Sequence, residues 1–357
     1  MKVTSKIKTY EYGVVSDVLE KKDELFSTLS YDRLFYFVDQ NFYNLYKEKL
    51  DKFIGDDFLL CIEADERNKE YTKLSEYYQG LIDARFTRKD MLVTFGGGVL
   101  QDLSGFIAST LYRGIKWVFF PTTLLAQADS CIGSKTSINF GDSKNLIGSF
   151  YPPDQIFIDA TFTKTLTDAD FNSGLGEIIK FHILLDRKQY GMLLQYLEEG
   201  NLRSNRYFDQ IVASTLNIKK WYFEQDEFDT GVRNLLNYGH CFGHALESAT
   251  NFATTHGEAV IVGMGFANLL ALRRGIMSQS VYSELEEILQ HFYPHFDLSK
   301  VSVDKLIHYL KKDKKRIGKD LTMIMGSDVG NFSKYDDVQE EEIKDTYKEF
   351  LLGYPGQ

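Results

Sequence analysis

The sequence predicts an α/β chain of two domains, in which a parallel sheet flanked by helices comes first and a mainly helical domain follows. Three observations predict this class. The chain has 357 residues, and single domains usually hold roughly 100–200. Short apolar runs alternate with helical stretches up to about residue 165. Longer amphipathic helices follow, so we expect domains at 1–165 and 166–357.

Five short runs rich in apolar, β-branched and aromatic residues predict the strands of the sheet. They are Arg33–Val38, Phe58–Ile62, Met91–Phe95, Lys116–Phe120 and Gln155–Asp159. Helical patterns lie between them, over Glu70–Arg85 and Leu103–Thr110. Because ligands of such sheets bind at the carboxyl ends of the strands, binding residues of the first domain are expected directly after its strands.

The second domain shows the helical period instead. Its predicted helices are Tyr207–Glu224, Cys241–Thr250, Ala259–Arg274 and Val281–Phe292. The acidic run Glu340–Glu342 and the tail after it predict a solvated helix near the carboxyl end.

Composition narrows the class of function. A formal net charge of −10 disfavours nucleic acid and anionic membrane as partners, since both are bound through excess Lys and Arg. Apolar runs long enough to span a bilayer are lacking, as is an apolar signal core at the start. Cys61, Cys131 and Cys241 are odd in number and widely spaced, which fits a reducing compartment. We therefore expect a cytoplasmic protein.

Two features of the first domain suggest a nucleotide. Gly96–Gly98 stand between a strand and a helix start, where glycines let a diphosphate approach free N–H groups. Asp39 ends another strand, where an acidic residue often holds a ribose. A tight turn without a ligand and a turn-forming Asp are the alternatives, and for isolated cases they are as common or more so.

The strongest signal is a histidine cluster in the second domain. His240, His244 and His256 are three of the seven histidines, and the first two share a helical face at i, i+4. Clustered imidazoles favour a divalent metal such as zinc, although packing or capping histidines remain the alternative. Glu177 could supply a carboxylate from elsewhere, and Lys180, one turn away, could equally be its salt-bridge partner.

Basic residues embedded in apolar or glycine-rich text form the last feature. In an acidic protein they are the natural parts of a pocket for phosphate and carboxylate groups, although each alone is unremarkable. They are Arg113, Lys135, Lys144, Lys180, Lys219, Arg233 and Lys314.

Together these segments closely resemble the 3-dehydroquinate synthase family of sugar-phosphate cyclases. The matching segments are Gly96–Val99, Leu111–Ile115, Pro121–Gln127, Asp129–Thr136, Lys144–Gly148, Lys164–Leu166, Gly174–Lys180, Arg233–His240, Gly243–His244 and His256–Ala259. Thinner similarity covers Glu66–Lys69 and Asp313–Lys315. The resemblance implies a Rossmann-like domain that binds NAD, a helical domain that holds zinc or cobalt, an active site between them and a homodimer.

The resemblance also implies roles for individual residues. Glu177, His240 and His256 match metal ligands, whereas His244 matches a residue that contacts substrate and moves protons. The other catalytic positions implied are Asp129, Lys135, Lys180, Lys219, Arg233 and Asn237, and the further substrate positions are Asn145, Lys314 and Arg113, the last reaching the neighbouring subunit. The cofactor segments contain Asp39, Glu66, Lys69, Gly97, Gly98, Asp102, Thr122, Thr123, Lys144 and Thr165.

The implied activity closes a phosphorylated open-chain sugar acid into a carbocycle. NAD oxidises a hydroxyl transiently, phosphate is eliminated, the hydride returns, and an internal aldol addition closes the ring. The expected reaction converts 3-deoxy-D-arabino-heptulosonate 7-phosphate to 3-dehydroquinate in the shikimate pathway of aromatic biosynthesis.

Departures from the family pattern leave alternatives open. Gln101 stands where glycine is usual before Asp102, Ser134 where glycine precedes Lys135, and Gly176 and Cys241 where alanine and threonine are common. One alternative is a paralogue that uses another heptulose phosphate or an amino analogue, as 2-epi-5-epi-valiolone synthase does. Others are a metal-dependent alcohol or glycerol dehydrogenase, which would form NADH, and a degenerate chain that only binds.

Overall fold

The chain forms two units in the computed structural model, which describes residues 1–141, 143–203, 206–251, 253–312 and 321–355. The first unit comprises Met1–Leu166 and Phe208–Glu227. The second comprises the described residues of Thr167–Tyr207 and Phe228–Gln357. A single cut at residue 165 therefore differs from the structure at one segment, because Phe208–Glu227 belongs with the first unit.

Strands are concentrated in the first unit. Their bounds are β1 Lys2–Val3, β2 Tyr10–Val14, β3 Leu34–Asp39, β4 Phe58–Ile62, β5 Met91–Gly96, β6 Lys116–Pro121, β7 Lys135–Phe140, β8 Ser143–Phe150, β9 Gln155–Ile158, β10 Leu321–Asp328 and β11 Asn331–Val338. Seven of them form one sheet in the order β1-β2-β9-β6-β5-β3-β4. All neighbours in it run parallel except β1 and β2. The five predicted strands are all present.

Helices connect these strands and make up most of the second unit. Their bounds are α1 Lys22–Phe26, α2 Gln40–Ile54, α3 Leu74–Asp83, α4 Gly98–Thr110, α5 Asp168–Leu185, α6 Arg187–Glu198, α7 Phe208–Gln225, α8 His240–Ala249, α9 His256–Arg273, α10 Gln279–Leu289, α11 Val303–Lys311 and α12 Glu340–Gly353. The fold class predicted from the sequence, α/β followed by mainly helical, is confirmed. Within the described residues, no helix is both long and apolar enough to cross a membrane.

Aromatic packing holds the central strands of the sheet. The rings of Phe95 on β5 and Phe120 on β6 stack with their centroids 4.2 Å apart, and Phe53 of α2 meets both edge-on. Every residue of β3 and β5 is buried, as expected for strands covered on both faces. The core thus fixes the carboxyl ends of β3, β5 and β6, where the predicted cofactor residues lie.

Two antiparallel hairpins were not predicted. One pairs β7 with β8 in the first unit, and the other pairs β10 with β11 in the second. The strand β8 is mostly exposed, so its residues lack the apolar alternation that marks a half-buried strand. The acidic carboxyl-terminal helix is also more than a solvated one, because Ile343, Tyr347 and Phe350 of α12 are buried.

The helix α7 follows the second unit's first helices in sequence but packs in the first unit. It contacts the segment Ala126–Ser130 and the 3-10 helix Ala160–Thr165. Ten of its residues are buried, including Ile211, Leu216 and Phe223. This packing carries Lys219 into the first unit.

Close helix packing marks the second unit. The backbones of α5 and α9 approach so closely that a Cβ added at Gly176 would lie 2.4 Å from the carbonyl oxygen of Gly257. Likewise, a Cβ at Gly263 of α9 would lie 1.9 Å from the carbonyl oxygen of Gly239, which precedes α8. The glycine at position 176, a departure from the usual alanine, therefore permits the contact that brings α5 to α9.

Candidate active site

Three helices of the second unit converge on one carboxylate. Glu177 lies in the middle of α5, whereas His240 and His256 are the first residues of α8 and α9. The start of α9 is fixed by a capping box, in which the Thr255 side chain and Glu258 satisfy each other's backbone N–H groups. The capping box thus sets the position of His256, whereas His240 follows Gly239, whose left-handed φ of 76° precedes the start of α8.

The distances define a centre. Oε1 of Glu177 lies 3.2 Å from Nε2 of His240 and 3.3 Å from Nε2 of His256. The Glu177 side chain has no exposed surface, and its second oxygen, Oε2, forms an ion pair with Lys180. Lys180 is thus the salt-bridge partner of Glu177 that the spacing suggested, and the pair is buried.

The contacts of the two Nδ1 atoms decide which ring nitrogens of His240 and His256 are available to bind a cation. Nδ1 of His240 lies 3.1 Å from the carbonyl oxygen of Tyr238, and Nδ1 of His256 lies 3.5 Å from Oε1 of Glu247. Both oxygens can only accept, so we assign the ring protons to Nδ1. In the neutral form of each ring the Nε2 lone pair then faces Oε1 of Glu177, which is the arrangement that a set of metal ligands requires.

The Lys180 ammonium group compensates the charge of the buried Glu177 carboxylate, and both imidazoles face its Oε1. A buried carboxylate is costly unless cations compensate it in this way. One carboxylate and two imidazoles are the donor set that zinc and cobalt accept, and the carboxylate–histidine contact of Glu247 is the usual outer-shell support. The residues present therefore fit a divalent metal.

The charged and ionisable groups of the centre shift one another's pKa values. Burial and the charge of Lys180 lower the pKa of His240 to about 4, despite the opposing charge of Glu177. For His256 burial also lowers the pKa, but hydrogen bonds to Glu177 and Glu247 more than offset it and raise the pKa to about 10. Against the effect of burial, Lys180 and His240 hold the pKa of Glu177 well below its usual range. Glu177 is thus ionised, and the cationic groups of Lys180 and His256 balance the charges of Glu177 and Glu247.

His244 completes the histidine cluster. One ring nitrogen from each of His240, His244 and His256 can lie within 4.8 Å of the others. The ring centroid of His244 lies 5.2 Å from that of His240 and 5.6 Å from that of His256. Unlike the other two it is exposed, so its ring is accessible to a bound molecule.

In the first unit, the glycine turn has the form expected of a diphosphate site. The strand β5 ends at Gly96, Gly97 caps the helix and Gly98 begins α4. A Cβ at Gly97 would lie 3.0 Å from Cγ2 of Thr123, whereas a Cβ at Gly98 would meet nothing within 4 Å. The open space beside the start of α4 is what an anion on helix N–H groups requires, so these residues fit a dinucleotide.

Asp39 has the structural role of its turn-forming interpretation. It ends β3 and accepts a hydrogen bond of 2.8 Å from the backbone N–H of Phe42, which caps α2. Burial raises the pKa of its carboxyl group. The capping bond uses Oδ1, so the structural role accounts for one of its two oxygens.

A polar network joins further predicted residues of the first unit. Nζ of the buried Lys69 donates to Oδ2 of Asp102 at 2.8 Å and to Oδ1 of Asn145 at 2.9 Å. The Ser137 hydroxyl of β7 lies within hydrogen-bond distance of both acceptors, 2.9 Å from Oδ2 of Asp102 and 2.8 Å from Oδ1 of Asn145, and can donate to one of them at a time. Asn139 donates to Glu66 at 2.8 Å. The predicted cofactor residues Glu66, Lys69 and Asp102 are thus brought together with the predicted substrate residue Asn145.

Lys219 and Asp129 form the second ion pair among the predicted catalytic residues. Lys219 lies on α7 and Asp129 in the segment Ala126–Ser130, so the packing of α7 in the first unit creates this pair. The sequence around Lys219 and around Asp129 does not indicate that the two residues pair. Their contact becomes evident only in the folded structure.

The remaining predicted residues are scattered over both units. Arg113, Lys135 and Lys144 are exposed in the first unit. Thr122 and Thr123 follow β6, and the hydroxyl of Thr165 donates to the carbonyl oxygen of Phe162. In the second unit Arg233 is buried, and Asn237 donates to the carbonyl oxygen of Asn234. Lys314 lies outside the described residues.

Sequence reasoning missed Glu247. It follows His244 by three positions on α8, so it shares the face that carries the histidines. That spacing was the available signal, but a glutamate on an amphipathic helix is usually solvated.

Solved structures of related enzymes have this fold. A 2-deoxy-scyllo-inosose synthase, solved with carbaglucose-6-phosphate, NAD+ and Co2+, matches with a TM-score of 0.88 and 24% identity over 98% of this chain and 99% of its own. The 2-epi-5-epi-valiolone synthase from Streptomyces hygroscopicus subsp. jinggangensis, solved with NAD+ and Zn2+, matches with a TM-score of 0.86 and 25% identity over the same shares. The fold and the centre thus place the chain in the class of dehydroquinate synthase-like cyclases.

Sequence comparison gives the particular family. Models of the 3-dehydroquinate synthase N-terminal and C-terminal domains match residues 59–173 and 174–316. The 3-dehydroquinate synthase of Clostridium acetobutylicum is 34% identical over 343 residues, which are 95% of this chain and 94% of that protein. This chain belongs to the 3-dehydroquinate synthase family.

Proposed function

We propose that this chain is a 3-dehydroquinate synthase, which converts 3-deoxy-D-arabino-heptulosonate 7-phosphate to 3-dehydroquinate and phosphate. The observation that carries the proposal is the buried Glu177 carboxylate, faced at 3.2 and 3.3 Å by the Nε2 atoms of His240 and His256. Full-length similarity to 3-dehydroquinate synthases favours this substrate over those of the structurally similar cyclases. The pathway served is the shikimate pathway.

Three side chains of the second unit would hold the metal. Glu177, His240 and His256 would bind zinc or cobalt, which when bound would supply a Lewis acid for the substrate hydroxyl, and NAD would supply the hydride acceptor. Glu247 contacts the His256 ring at Nδ1, and the Tyr238 carbonyl contacts the His240 ring at Nδ1. These contacts keep both Nε2 atoms facing Oε1 of Glu177 and prevent the rings from turning.

The turn at Gly97 and Gly98 would cradle the NAD diphosphate at the start of α4. Asp39 retains one carboxylate oxygen beyond its capping bond, which suits a ribose hydroxyl. The network of Glu66, Lys69 and Asp102 would support the cofactor from the β7–β8 side of the first unit. Thr122, Thr123, Lys144 and Thr165 belong to the same proposed cofactor set.

Buried cations account for the anionic substrate. Lys180, Lys219 and Arg233 are at most 8% exposed, and cations that are buried in this way suit the binding of anionic groups. In the proposed site Lys180, Lys219, Arg233 and Asn237 bind the phosphate and carboxylate together with Lys135, Asn145 and Lys314, while Asp129 orients Lys219. His244, exposed beside the metal ligands, would contact the substrate and move protons.

We further propose a homodimer in which Arg113 completes the site of the partner subunit. Tyr112 and Arg113 both have left-handed backbones, with φ of 51° and 67°. Such a conformation costs of order 1–3 kcal/mol per residue and persists only where the surroundings fix it. Tyr112 is fixed by hydrogen bonds to Phe86 and from Arg88, so the turn presents an exposed Arg113 in one direction. Cys61, Cys131 and Cys241 form no disulfide within the described part of the chain, which suits the cytoplasm as location.

One assay separates the proposed function from its rivals. Purified chain is given NAD, zinc or cobalt, and 3-deoxy-D-arabino-heptulosonate 7-phosphate, and phosphate release is followed together with absorbance at the NADH band. The proposal expects stoichiometric phosphate and 3-dehydroquinate with no net NADH. Steady NADH growth without phosphate would support the dehydrogenase alternative, and neither product would support a chain that only binds.

A further inference from the structure

Gln101 holds the backbone that carries Asp129. Its side chain, 8% exposed on α4, donates from Nε2 to the carbonyl oxygen of Ser130 at 2.7 Å. In return the Ser130 hydroxyl donates to Oε1 of Gln101 at 2.5 Å. The amide thus binds both the backbone and the side chain of one residue, which fixes the position and the rotation of Ser130.

The segment held in this way is a π-helical turn. It spans Ala126–Ser130, and the N–H of Cys131 donates to the carbonyl oxygen of Ala126, five residues earlier, at 3.1 Å. Single π-helical turns are rare and depend on their surroundings, since their geometry is less favourable than that of an α-helix. The neighbouring α4 supplies part of those surroundings through Gln101.

Asp129 is the residue of this turn that matters for the reaction. Its carboxylate pairs with Lys219 across the first unit, and Lys219 is only 7% exposed. Because Asp129 precedes Ser130 directly, a displacement of the Ser130 backbone moves the Asp129 carboxylate with it. The pair with Lys219 therefore depends on how firmly the turn is held.

We propose that Gln101 is a positioning residue that fixes the π-helical turn and so keeps Asp129 paired with Lys219 in the substrate-binding geometry. Its relevance to the reaction rests on the proposed function. A glycine at this position, usual in the family, would provide neither bond to Ser130. In this chain the Gln101 side chain on α4 therefore forms two bonds to Ser130 that a glycine could not form, which gives the departure from the family pattern a structural role.

Two substitutions separate the two hydrogen bonds. Gln101→Met keeps the length of the side chain and removes both bonds, whereas Ser130→Ala removes only the bond from the hydroxyl to Oε1. Ser104→Ala is the matched control, because Ser104 is buried on the same helix and its hydroxyl has no hydrogen-bond partner among the described residues. The double variant Gln101→Met with Ser130→Ala completes the cycle.

Two measurements are made on each metal- and NAD-loaded protein. Hydrogen exchange of the peptide covering 126–132 reports the turn itself, and kcat and KM report the reaction. We expect Gln101→Met to speed exchange in 126–132 and lower kcat, each by about tenfold, with KM for NAD unchanged within about twofold. Ser130→Ala should have a smaller effect, and the double variant should be no worse than Gln101→Met.

The outcomes are decisive in both directions. Unchanged exchange in 126–132 for Gln101→Met, faster exchange without a fall in kcat, or a fall in kcat matched by Ser104→Ala would each overturn the proposal. If Gln101→Met does not fold, Ser130→Ala carries the test with the same two measurements. If the unsubstituted chain turns over no substrate, the proposed function fails, while exchange in 126–132 still decides whether Gln101 holds the turn.

Discussion

Nε2 of His240 lies 3.2 Å from Oε1 of Glu177, and neither atom carries a proton in the assigned tautomer. Two acceptors at this distance repel each other unless a cation lies between them or beside them. Nε2 of His256 lies 3.3 Å from the same oxygen, and contact with Glu177 and Glu247 raises the pKa of this ring. The helices α5, α8 and α9 pack too closely for this contact to relax, since glycines line their interfaces.

The metal ligands can be tested by substitution. We expect one divalent ion per chain, and His256→Ala should weaken its binding by more than about 100-fold, beyond the 10- to 100-fold typical of lost outer-shell contacts. His308→Ala, an exposed histidine of the same unit, is the control. Equilibrium dialysis followed by metal analysis gives the affinity. Full metal content in His256→Ala after dialysis against a chelator would refute the ligand set.

The cofactor turn offers a substitution that should not disturb the protein. An alanine at Gly98 meets nothing within 4 Å in the chain, and neither does one at Gly80 of α3. Both changes should leave stability equal or higher, because alanine favours a helix by about 1 kcal/mol over glycine. Only Gly98→Ala should weaken NAD binding, by about tenfold or more, since its methyl group would occupy the space for the diphosphate. Calorimetric titration with NAD measures this, and equal affinities in the two variants would remove the diphosphate from this turn.

A shared site predicts complementation between inactive chains. Arg113→Ala and Lys180→Ala should each be inactive, and a mixture should regain part of the activity, because a mixed dimer rebuilds one intact site. Subunit exchange is verified with differently tagged chains. Absence of recovery despite proven exchange would mean that Arg113 acts within its own subunit or not at all.

Glu286 gives a pH prediction away from the active site. Burial raises the pKa of its carboxyl group above the usual 4.5, against hydrogen bonds from Tyr293 and Gln290. A carboxyl group whose pKa is higher in the folded than in the unfolded chain costs stability as the pH rises above its unfolded pKa, because the unfolded chain releases the proton first. The stability of Glu286→Gln relative to the unsubstituted chain should therefore rise as the pH increases above the usual carboxyl pKa of 4.5, while the amide keeps an acceptor for Tyr293.

Denaturant unfolding at several pH values measures that gain. Glu287→Gln is the control, as this neighbouring glutamate is exposed. A difference between Glu286→Gln and the unsubstituted chain that did not change with pH would show that the carboxyl group does not titrate in this way.

The sequence predicted what periodic patterns and clustered residue types can reveal. The five strands around Phe95 and Phe120 were predicted because continuous apolar runs are specific to buried parallel strands. The contacts among Glu177, His240 and His256 agree with the cluster inferred from residue types, although their roles as ligands remain a prediction.

What the sequence could not predict depends on packing between distant segments. The sequence of α7 does not indicate that Lys219 packs with the first unit beside Asp129, since the pattern of an amphipathic helix does not show which element its apolar face contacts. The exposed strand β8 lacks the alternation of apolar and polar residues by which a half-buried strand is predicted. Gln101 was noticed as a departure, but its bond to Ser130 joins residues that only the fold brings together.

The substrate is the central claim, and competition between two sugar phosphates tests it most directly. Lys219, Arg233 and Asn237 supply more positive charge and hydrogen-bond donors than one phosphate requires. A charged hydrogen bond contributes roughly 1.5–3 kcal/mol, so loss of the substrate carboxylate should cost about tenfold to a few hundredfold in kcat/KM. The measurement is kcat/KM for 3-deoxy-D-arabino-heptulosonate 7-phosphate and for sedoheptulose 7-phosphate, with NAD and zinc or cobalt present. We predict that the first exceeds the second by that factor, and an equal or higher value for sedoheptulose 7-phosphate would contradict the assignment.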